Sequence, residues 1–281
     1  IRLKELDKYI DKFIITEAKY THDGSPKKLN FDINNFKPFR KKIEYIIIDD
    51  PPPNLLVEKK EDSKNLIAEK KIINSLKREN FQRNQLIKGI NIADDNDLIM
   101  LSDVDEIPKF NNLNLEKINN EILIFKQNMF YYKFNLHYEN FIWHGTKATK
   151  KKNLISPQWL RNIKNKKYYF WRLDTIFSEN KYMNIKFIED GGWHFTCIKK
   201  PEDIQKKLTT FLHHQDFEDS RITVDDLKRK MKEKKILYDH NLDKKNQNKW
   251  QTDVQLKKIN SKYLPNYIKN NIHDYLEWIE E

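Results

Sequence analysis

The chain has 281 residues, 38% of them hydrophobic and 12% aromatic, which is enough for a packed core and excludes disorder over most of its length. The formal net charge of +11 favours an anionic membrane surface or an anionic small molecule over nucleic acid, because no zinc-finger spacing or RNA-binding aromatic signature is present. The single Cys197 excludes an intramolecular disulfide framework, and no run approaches the roughly 18 apolar residues that span a bilayer.

Strand and helix patterns alternate along the first half of the chain. Apolar runs predict buried strands at 13–16, 43–48, 98–101, 121–126 and 130–136. Helical spacing predicts helices at 3–10 and 65–90, and residues 143–146 are predicted to form a loop. This alternation predicts an α/β fold with a parallel sheet. Ligands bind such sheets at the carboxyl ends of the strands, where Glu17 and the acidic residues 103–106 fall.

The last third of the chain is predicted to be helical. A helix is expected to begin at Pro201, a second to begin at a capping box formed by Thr223 and Asp226, and a third to begin at Pro265 and end near Trp278. We therefore expect a sheet domain over residues 1–200 and a helical C-terminal appendage, residues 201–281, that packs on it.

The segment 98–106 reads Leu-Ile-Met-Leu-Ser-Asp-Val-Asp-Glu, an apolar run that ends in three carboxylates. In an extended segment Asp103 and Asp105 point to the same side, and two carboxylates so placed repel unless a cation lies between them. Mg²⁺ and Mn²⁺ prefer oxygen ligands and keep positions open for phosphate oxygens. The segment predicts a metal-diphosphate site, and a strand that ends in a solvated acidic turn remains the alternative.

Two other acidic motifs fit the segment poorly. An EF-hand loop that starts at Asp103 requires Gly at its sixth position and Glu at its twelfth, but Pro108 and Asn114 stand there. A Walker B strand requires a Gly-rich partner loop that ends in Gly-Lys-Ser/Thr, and none of the five glycines precedes such a pair.

A second candidate group lies at 189–195, Glu-Asp-Gly-Gly-Trp-His-Phe. His194 offers a nitrogen ligand for a transition metal, and Asp190 offers a general base for a sugar hydroxyl. The flat apolar body of Trp193 suits a sugar face. The alternatives are a structural histidine, a core tryptophan and a simple glycine turn. For His213 and His214 a structural or surface role is favoured over metal ligation.

These motifs together resemble glycosyltransferase family 17, and the resemblance extends from residue 1 to about residue 217. Ser102-Asp103-Val104-Asp105-Glu106-Ile107-Pro108 and Gly191-Gly192-Trp193-His194-Phe195 carry it most specifically. The supporting pieces are Ile1-Arg2-Leu3-x-Glu5-Leu6, residues 13–17 with Thr21 and Gly24, Glu79 with Gln82-Arg83-Asn84, Trp143-x-Gly145-Thr146, and Lys207-Leu208 with His213.

The resemblance implies a GT-A-like, Rossmann-type mixed sheet flanked by helices, a sugar-nucleotide donor, a divalent metal and inversion at the anomeric carbon. It implies Mn²⁺ or Mg²⁺ held by Asp103 and Asp105, with His194 as a candidate third ligand and Glu106 supporting the metal site or the donor sugar. Within the second group, it implies Asp190 as the base, with Glu189 second, and Trp193 near the donor.

Glu17 and Arg83 are expected to contact the nucleotide or its phosphates, and a buried ion pair is the alternative for Arg83. The first choice of donor is UDP-GlcNAc, and the expected acceptor is a glycan or glycolipid. Family members usually have a strand before the Ile-Arg-Leu segment, and Golgi members also have an N-terminal membrane anchor. This sequence begins at the Ile-Arg-Leu segment and shows no such anchor. We therefore expect a cytoplasmic enzyme of bacterial or viral origin with peripheral membrane contact. The other classes left open are a non-catalytic carbohydrate- or nucleotide-binding protein of the same fold and a metal-dependent hydrolase or nucleotidyltransferase.

Overall fold

The structure is a computed structural model that describes residues 1–110, 113–115, 118–169, 171–175, 177–210, 217, 220–242 and 246–281. The helices are α1 (Arg2–Leu6), α2 (Lys64–Asn84), α3 (Ile87–Ile90), α4 (Pro157–Asn162), α5 (Pro201–Thr210), α6 (Val224–Lys232) and α7 (Asn266–Asn270). The strands are β1 (Phe13–Ala18), β2 (Ile43–Ile48), β3 (Leu98–Leu101), β4 (Glu106–Pro108), β5 (Ile122–Tyr131), β6 (Leu136–Lys150), β7 (Ile185–Ile188), β8 (Gly192–Thr196) and β9 (Lys257–Lys258). Short 3-10 turns lie at Ile33–Phe39, Lys151–Asn153, Leu173–Thr175, Gln247–Trp250, Ser261–Tyr263 and Ile272–Trp278.

The described strands form two sheets. Strands β1 and β2 are parallel neighbours in a two-stranded sheet. The second sheet has seven strands in the order β3-β6-β5-β8-β4, with β7 also pairing with β5 and β9 with β6. Strands β7 and β8 run parallel to β5, and the other pairs in this sheet are antiparallel. The prediction of a mixed α/β fold is confirmed, whereas the prediction of a parallel sheet is wrong for most of the larger sheet.

The structure divides the middle of the chain differently from the prediction. The predicted strands 121–126 and 130–136 are mainly one strand, β5, which ends at Tyr131. The predicted loop at 143–146 lies inside β6, a strand of 15 residues. Positions 145–149 of β6 are buried without interruption, because neighbouring elements cover both of its faces there. A strand covered on both faces does not show the polar-apolar alternation by which strands are recognised.

Side-chain hydrogen bonds fix two helix starts that the sequence predicts. The Ser63 hydroxyl accepts a hydrogen bond from the Leu66 amide at the start of α2. Thr223 and Asp226 form the expected capping box of α6, with each side chain bonded to the other's backbone amide. Reciprocal bonds of this kind satisfy amides that have no partner within the helix.

The C-terminal third packs on the aromatic ends of β5 and β6. Ile204 and Leu208 of α5 and Leu227 of α6 join a buried cluster with Tyr131 and Tyr138. Strand β9 adds to the edge of β6, so this part of the chain contains sheet as well as helix. The division into two domains at residue 200 stays a prediction. Among the described helices, none combines the length and the apolar character needed to cross a bilayer.

Candidate active site

The acidic segment lies in a tight turn between β3 and β4. The Glu106 amide donates to the Asp103 carbonyl across 3.1 Å, and Val104 at the tip is 88% exposed. The expectation of an extended segment is therefore wrong, because the chain reverses after Leu101. Asp103 and Asp105 consequently meet different partners, and they do not simply alternate along one strand face.

Asp103 lies among three arginine side chains. Its carboxylate accepts from Arg161 Nη2 at 2.5 Å and lies 3.6 Å from Arg83 Nη2. Its backbone carbonyl accepts from Arg2 Nη1 at 2.5 Å. Arg83 also pairs with Glu79 one helical turn earlier, at 2.8 Å. Three guanidinium groups thus converge on the acidic turn, and guanidinium groups are geometrically suited to phosphate oxygens.

Glu106 is fully buried and supports this arrangement from beneath. Its carboxylate accepts from Trp143 Nε1 at 2.8 Å, from Arg161 Nη1 at 3.1 Å and from the Asp103 amide at 3.1 Å. Burial raises the pKa of Glu106, although the charge of Arg161 opposes that rise. Burial likewise opposes the charge on Arg161, but Glu106 and Asp103 outweigh it and raise the pKa of the guanidinium.

The absence of a side chain at Gly145 leaves room for the buried Glu106 carboxylate. A Cβ at this position would lie 1.9 Å from Gln127 Oε1 and 2.9 Å from Glu106 Cδ. No larger residue fits unless Gln127 and the buried Glu106 carboxylate both move.

Asp105 faces His194, which the neighbouring strand supplies. Glu106 of β4 pairs in register with His194 of β8, so Asp105 lies beside the imidazole, with Oδ1 at 3.5 Å from Nε2. Burial opposes ionisation of Asp105, yet the hydrogen bond and charge of His194, with a contribution from Lys207, lower its pKa to about 2. The imidazole also stacks on Trp143, with ring centroids 4.5 Å apart.

Asp105 and His194 have the donor chemistry for a divalent metal. A carboxylate oxygen beside an imidazole nitrogen suits Mn²⁺, and open positions would remain for phosphate oxygens or water. Asp103 is less available, because Arg161 and Arg83 already occupy its oxygens. In the described part of the chain, no group of three or more His, Cys, Asp and Glu side chains is arranged to hold a metal. The metal stays a prediction, and within it Asp105 and His194 would be the protein ligands.

The comparison with known families decides the class of protein. The sequence model of glycosyltransferase family 17 matches residues 1–275 of the chain. The chain belongs to glycosyltransferase family 17. The resemblance in the sequence motifs is thereby confirmed, and the match extends well past residue 217. No curated protein and no solved structure matches the chain.

Membership of family 17 makes the protein a glycosyltransferase, with a sugar donor and a glycan acceptor. The structure brings together Arg83, Asp103, Asp105, Glu106 and His194 out of the residues that the sequence singled out. It adds Arg161, which the sequence did not single out, and gives contacts to Arg2 and Trp143, which the sequence named only in supporting pieces of the resemblance.

Three other candidate site residues of this glycosyltransferase lie away from the acidic turn. Asp190 forms an ion pair with Lys109, and Glu189 pairs with Lys126 at 2.7 Å. Trp193 donates from Nε1 to the Tyr263 carbonyl at 2.8 Å. Successive residues of a strand point to opposite faces, so Trp193 lies on the face opposite His194. The roles predicted for Asp190, Glu189 and Trp193 stay predictions.

Asp190 and Trp193 border a cavity of about 410 Å³ on their side of the sheet. The backbone at this corner is unusual, because Asp190 and Gly192 both have a positive φ, of 46° and 129°. A Cβ at Gly192 would lie 2.1 Å from the Ile107 carbonyl oxygen. The glycine therefore allows β8 to approach β4 closely and brings His194 to Asp105.

The Glu17 carboxylate is used within the fold. It accepts hydrogen bonds from Lys27 Nζ at 2.5 Å, from the amides of Asn30 and Phe31, and from the Tyr45 hydroxyl. Burial opposes its ionisation, but these donors outweigh burial and lower the pKa of Glu17 to about 2. Contact with a nucleotide stays a prediction for Glu17. His213 and His214 lie outside the described residues.

A second cavity, of about 490 Å³, adjoins the acidic turn. Trp143 and Arg161, which both contact Glu106, form part of its wall. Lys147 lies behind them and donates to the carbonyls of Arg161 and Ile163. Burial and the charge of Arg161 lower the pKa of Lys147 to about 7.

Proposed function

We propose that the protein is a metal-dependent, inverting glycosyltransferase of GT-A type that moves a sugar from a UDP-sugar to a glycan hydroxyl. UDP-GlcNAc is the first choice of donor. The observation that carries the proposal is the meeting of the acidic turn with three arginines and His194 at one place. Such a site offers both metal ligands and phosphate-binding groups, which is what a nucleoside diphosphate leaving group requires.

Within this proposal Asp105 and His194 would hold Mn²⁺ or Mg²⁺, with Asp103 joining them where Arg161 turns to the substrate. The metal would neutralise the negative charge that develops on the departing diphosphate. Arg161 and Arg83 present planar guanidinium groups that bind phosphate oxygens in pairs. Glu106 fixes the orientation of Arg161 from its buried position, at 3.1 Å.

An inverting transfer also requires one base beside the acceptor hydroxyl. Asp190 remains the proposed base, with Glu189 second, and both side chains are mostly exposed. Asp190 is paired with Lys109 and borders the cavity of about 410 Å³, away from the acidic turn. This role therefore requires the acceptor to displace the lysine and the reacting sugars to extend from the acidic turn to that cavity.

Calorimetric titration of UDP into the protein, with Mn²⁺ and then with excess chelator, tests the nucleotide and the metal together. We expect binding only with Mn²⁺, and its loss by at least about 100-fold in Asp105→Ala. Asp225→Ala, an exposed carboxylate on α6, is the matched control and should bind as the wild type does.

Equal UDP affinity with Mn²⁺ and with chelator would remove the metal from the proposal. No UDP binding in either condition would remove UDP as the nucleotide, and GDP and CMP titrations would then identify the donor class. Once UDP binds, release of UDP from UDP-GlcNAc in the presence of glycan acceptors measures the transfer itself.

A further inference from the structure

The cavity of about 490 Å³ beside Trp143 is large enough for a small carbohydrate, since ligand sites commonly enclose about 300–1,000 Å³. Two of the side chains that line it, Trp143 and Arg161, also contact residues of the candidate active site. Arg161 contacts Asp103 and Glu106 with its guanidinium, and the Trp143 ring stacks on His194. A molecule in this cavity therefore lies next to the residues that we assign to the donor diphosphate.

One wall of the cavity is aromatic. Phe141 and Trp143 alternate on β6, so they belong to the same face of the strand, and their ring centroids lie 6.4 Å apart. Phe141 is supported from behind by a stacked Tyr138 ring at 5.5 Å and by the His240 ring at 5.0 Å. Flat apolar surfaces of this kind pack against the C–H faces of sugar rings.

The remaining wall is rich in amides. Asn140, Asn165 and Asn241 line the cavity, and all three are exposed. A carboxamide both donates and accepts, so it matches a sugar hydroxyl in either role. Asn241 is held in place by donating from Nδ2 to the Tyr138 hydroxyl at 3.0 Å, which fixes one amide relative to the aromatic wall.

The charges of the lining favour a neutral ligand. No carboxylate is among the described residues that line the cavity. Its two basic side chains have partners outside the cavity, since Arg161 is assigned to the donor diphosphate and pairs with Asp103 and Glu106, and Lys147 donates to two backbone carbonyls. An anionic ligand would find few ready partners here, whereas a neutral polyhydroxylated one would find amides and an aromatic surface.

We infer that this cavity binds a neutral sugar of the reaction, with Phe141 as its stacking surface and Asn140, Asn165 and Asn241 as its hydrogen-bonding groups. The inference rests on the proposed function for the position of the reaction centre. The sugar can belong either to the acceptor glycan or to the donor, and the chemistry of recognition is the same for both.

The test compares Phe141→Ala and Asn165→Ala with the wild type. Asn65→Ala is the control, because Asn65 is an exposed amide at the start of α2 and lines neither of the two cavities. Two probes are used: an array of labelled neutral and acidic oligosaccharides, and paired titrations of UDP and UDP-GlcNAc with Mn²⁺. We expect Phe141→Ala to weaken sugar binding about tenfold and Asn165→Ala about threefold, with UDP affinity unchanged in both.

Each outcome has one meaning for the cavity. Weaker binding to neutral glycans alone places the acceptor there, and loss of the affinity difference between UDP-GlcNAc and UDP places the donor sugar there. If both readouts match the wild type, or if only acidic glycans depend on Phe141, the inference is overturned. Asn165→Ala, at an exposed position, decides the question if Phe141→Ala does not fold. Failure of UDP to bind while neutral glycans still depend on Phe141 would instead count against the proposed donor.

Discussion

Arg161 holds Asp103 across 2.5 Å and with the same guanidinium holds the buried Glu106 across 3.1 Å. The carboxylate that the sequence motif assigns first to a metal is thus bound to an arginine. A guanidinium that bridges two carboxylates is also a ready phosphate ligand. Arg161 therefore lies where the residues proposed to bind the metal and those proposed to bind phosphate meet.

Arg161→Met should destabilise the fold by about 3–5 kcal/mol, because Glu106 would remain buried without its cation. Urea unfolding measures the loss. In the background of Glu106→Gln the same substitution should cost much less, since a neutral amide does not require the guanidinium. Equal costs in the two backgrounds would show that the Arg161–Glu106 pair is not what stabilises this region.

Trp143→Phe should keep the ring that stacks on His194 but remove the N–H that donates to Glu106 at 2.8 Å. A bond to a buried carboxylate is worth more than one to a neutral carbonyl, so we expect a loss of about 1.5–3 kcal/mol. Trp159→Phe is the matched control, because Trp159 Nε1 donates to the Glu179 carbonyl at 2.7 Å. The control should lose about 0.5–1.5 kcal/mol in the same unfolding experiment. A larger loss in the control would contradict the importance of the Glu106 bond.

Asp190→Asn should retain Mn²⁺-dependent UDP binding and lose transfer activity by roughly 10²–10⁴-fold, as expected when a general base is removed. UDP release from the donor in the presence of acceptor provides the measurement. Glu189→Gln, the neighbouring carboxylate that pairs with Lys126, should keep most of the activity. A normal transfer rate in Asp190→Asn would move the base to another residue, and a strong loss in Glu189→Gln would identify the second choice.

The sequence predicts the outer parts of the fold well. Strands β1, β2 and β3 follow apolar runs at nearly the predicted positions, and the α6 capping box follows a local four-residue pattern. These features depend on residues close together in the chain. Strand β6 could not be recognised, because Thr146, Lys147 and Thr149 are polar residues that are buried with long-range partners.

In the candidate site too, some residues are predicted from local sequence and others are revealed only by long-range contacts. Asp105 and His194 come from two motifs that the sequence singles out separately, and the register of β4 with β8 joins them. The arginines are different, since Arg161 is 58 positions and Arg2 is 101 positions from Asp103. No local spacing reports contacts over such separations, and only the tertiary fold reveals the guanidinium groups around the turn.

Glu17 provides a prediction that separates a structural carboxylate from a ligand-binding one. The pKa of Glu17 is about 2 in the folded protein, below the ordinary value of 4.5, so its ionised form stabilises the fold. That contribution is complete above pH 4.5 and is lost as the pH falls through about 2. The shift corresponds to about 3 kcal/mol at neutral pH.

Glu17→Gln should therefore unfold at a clearly lower urea concentration than the wild type at pH 7, and the difference should shrink steadily between pH 5 and pH 2. The reason is that the wild-type carboxylate becomes protonated over this range and loses its advantage over the amide in accepting from Lys27 and Tyr45. Glu44→Gln, an exposed position on the neighbouring β2, is the control. If the stability difference for Glu17→Gln were the same at pH 7 and pH 2, the carboxylate charge would not be what ties residues 27–31 to β1.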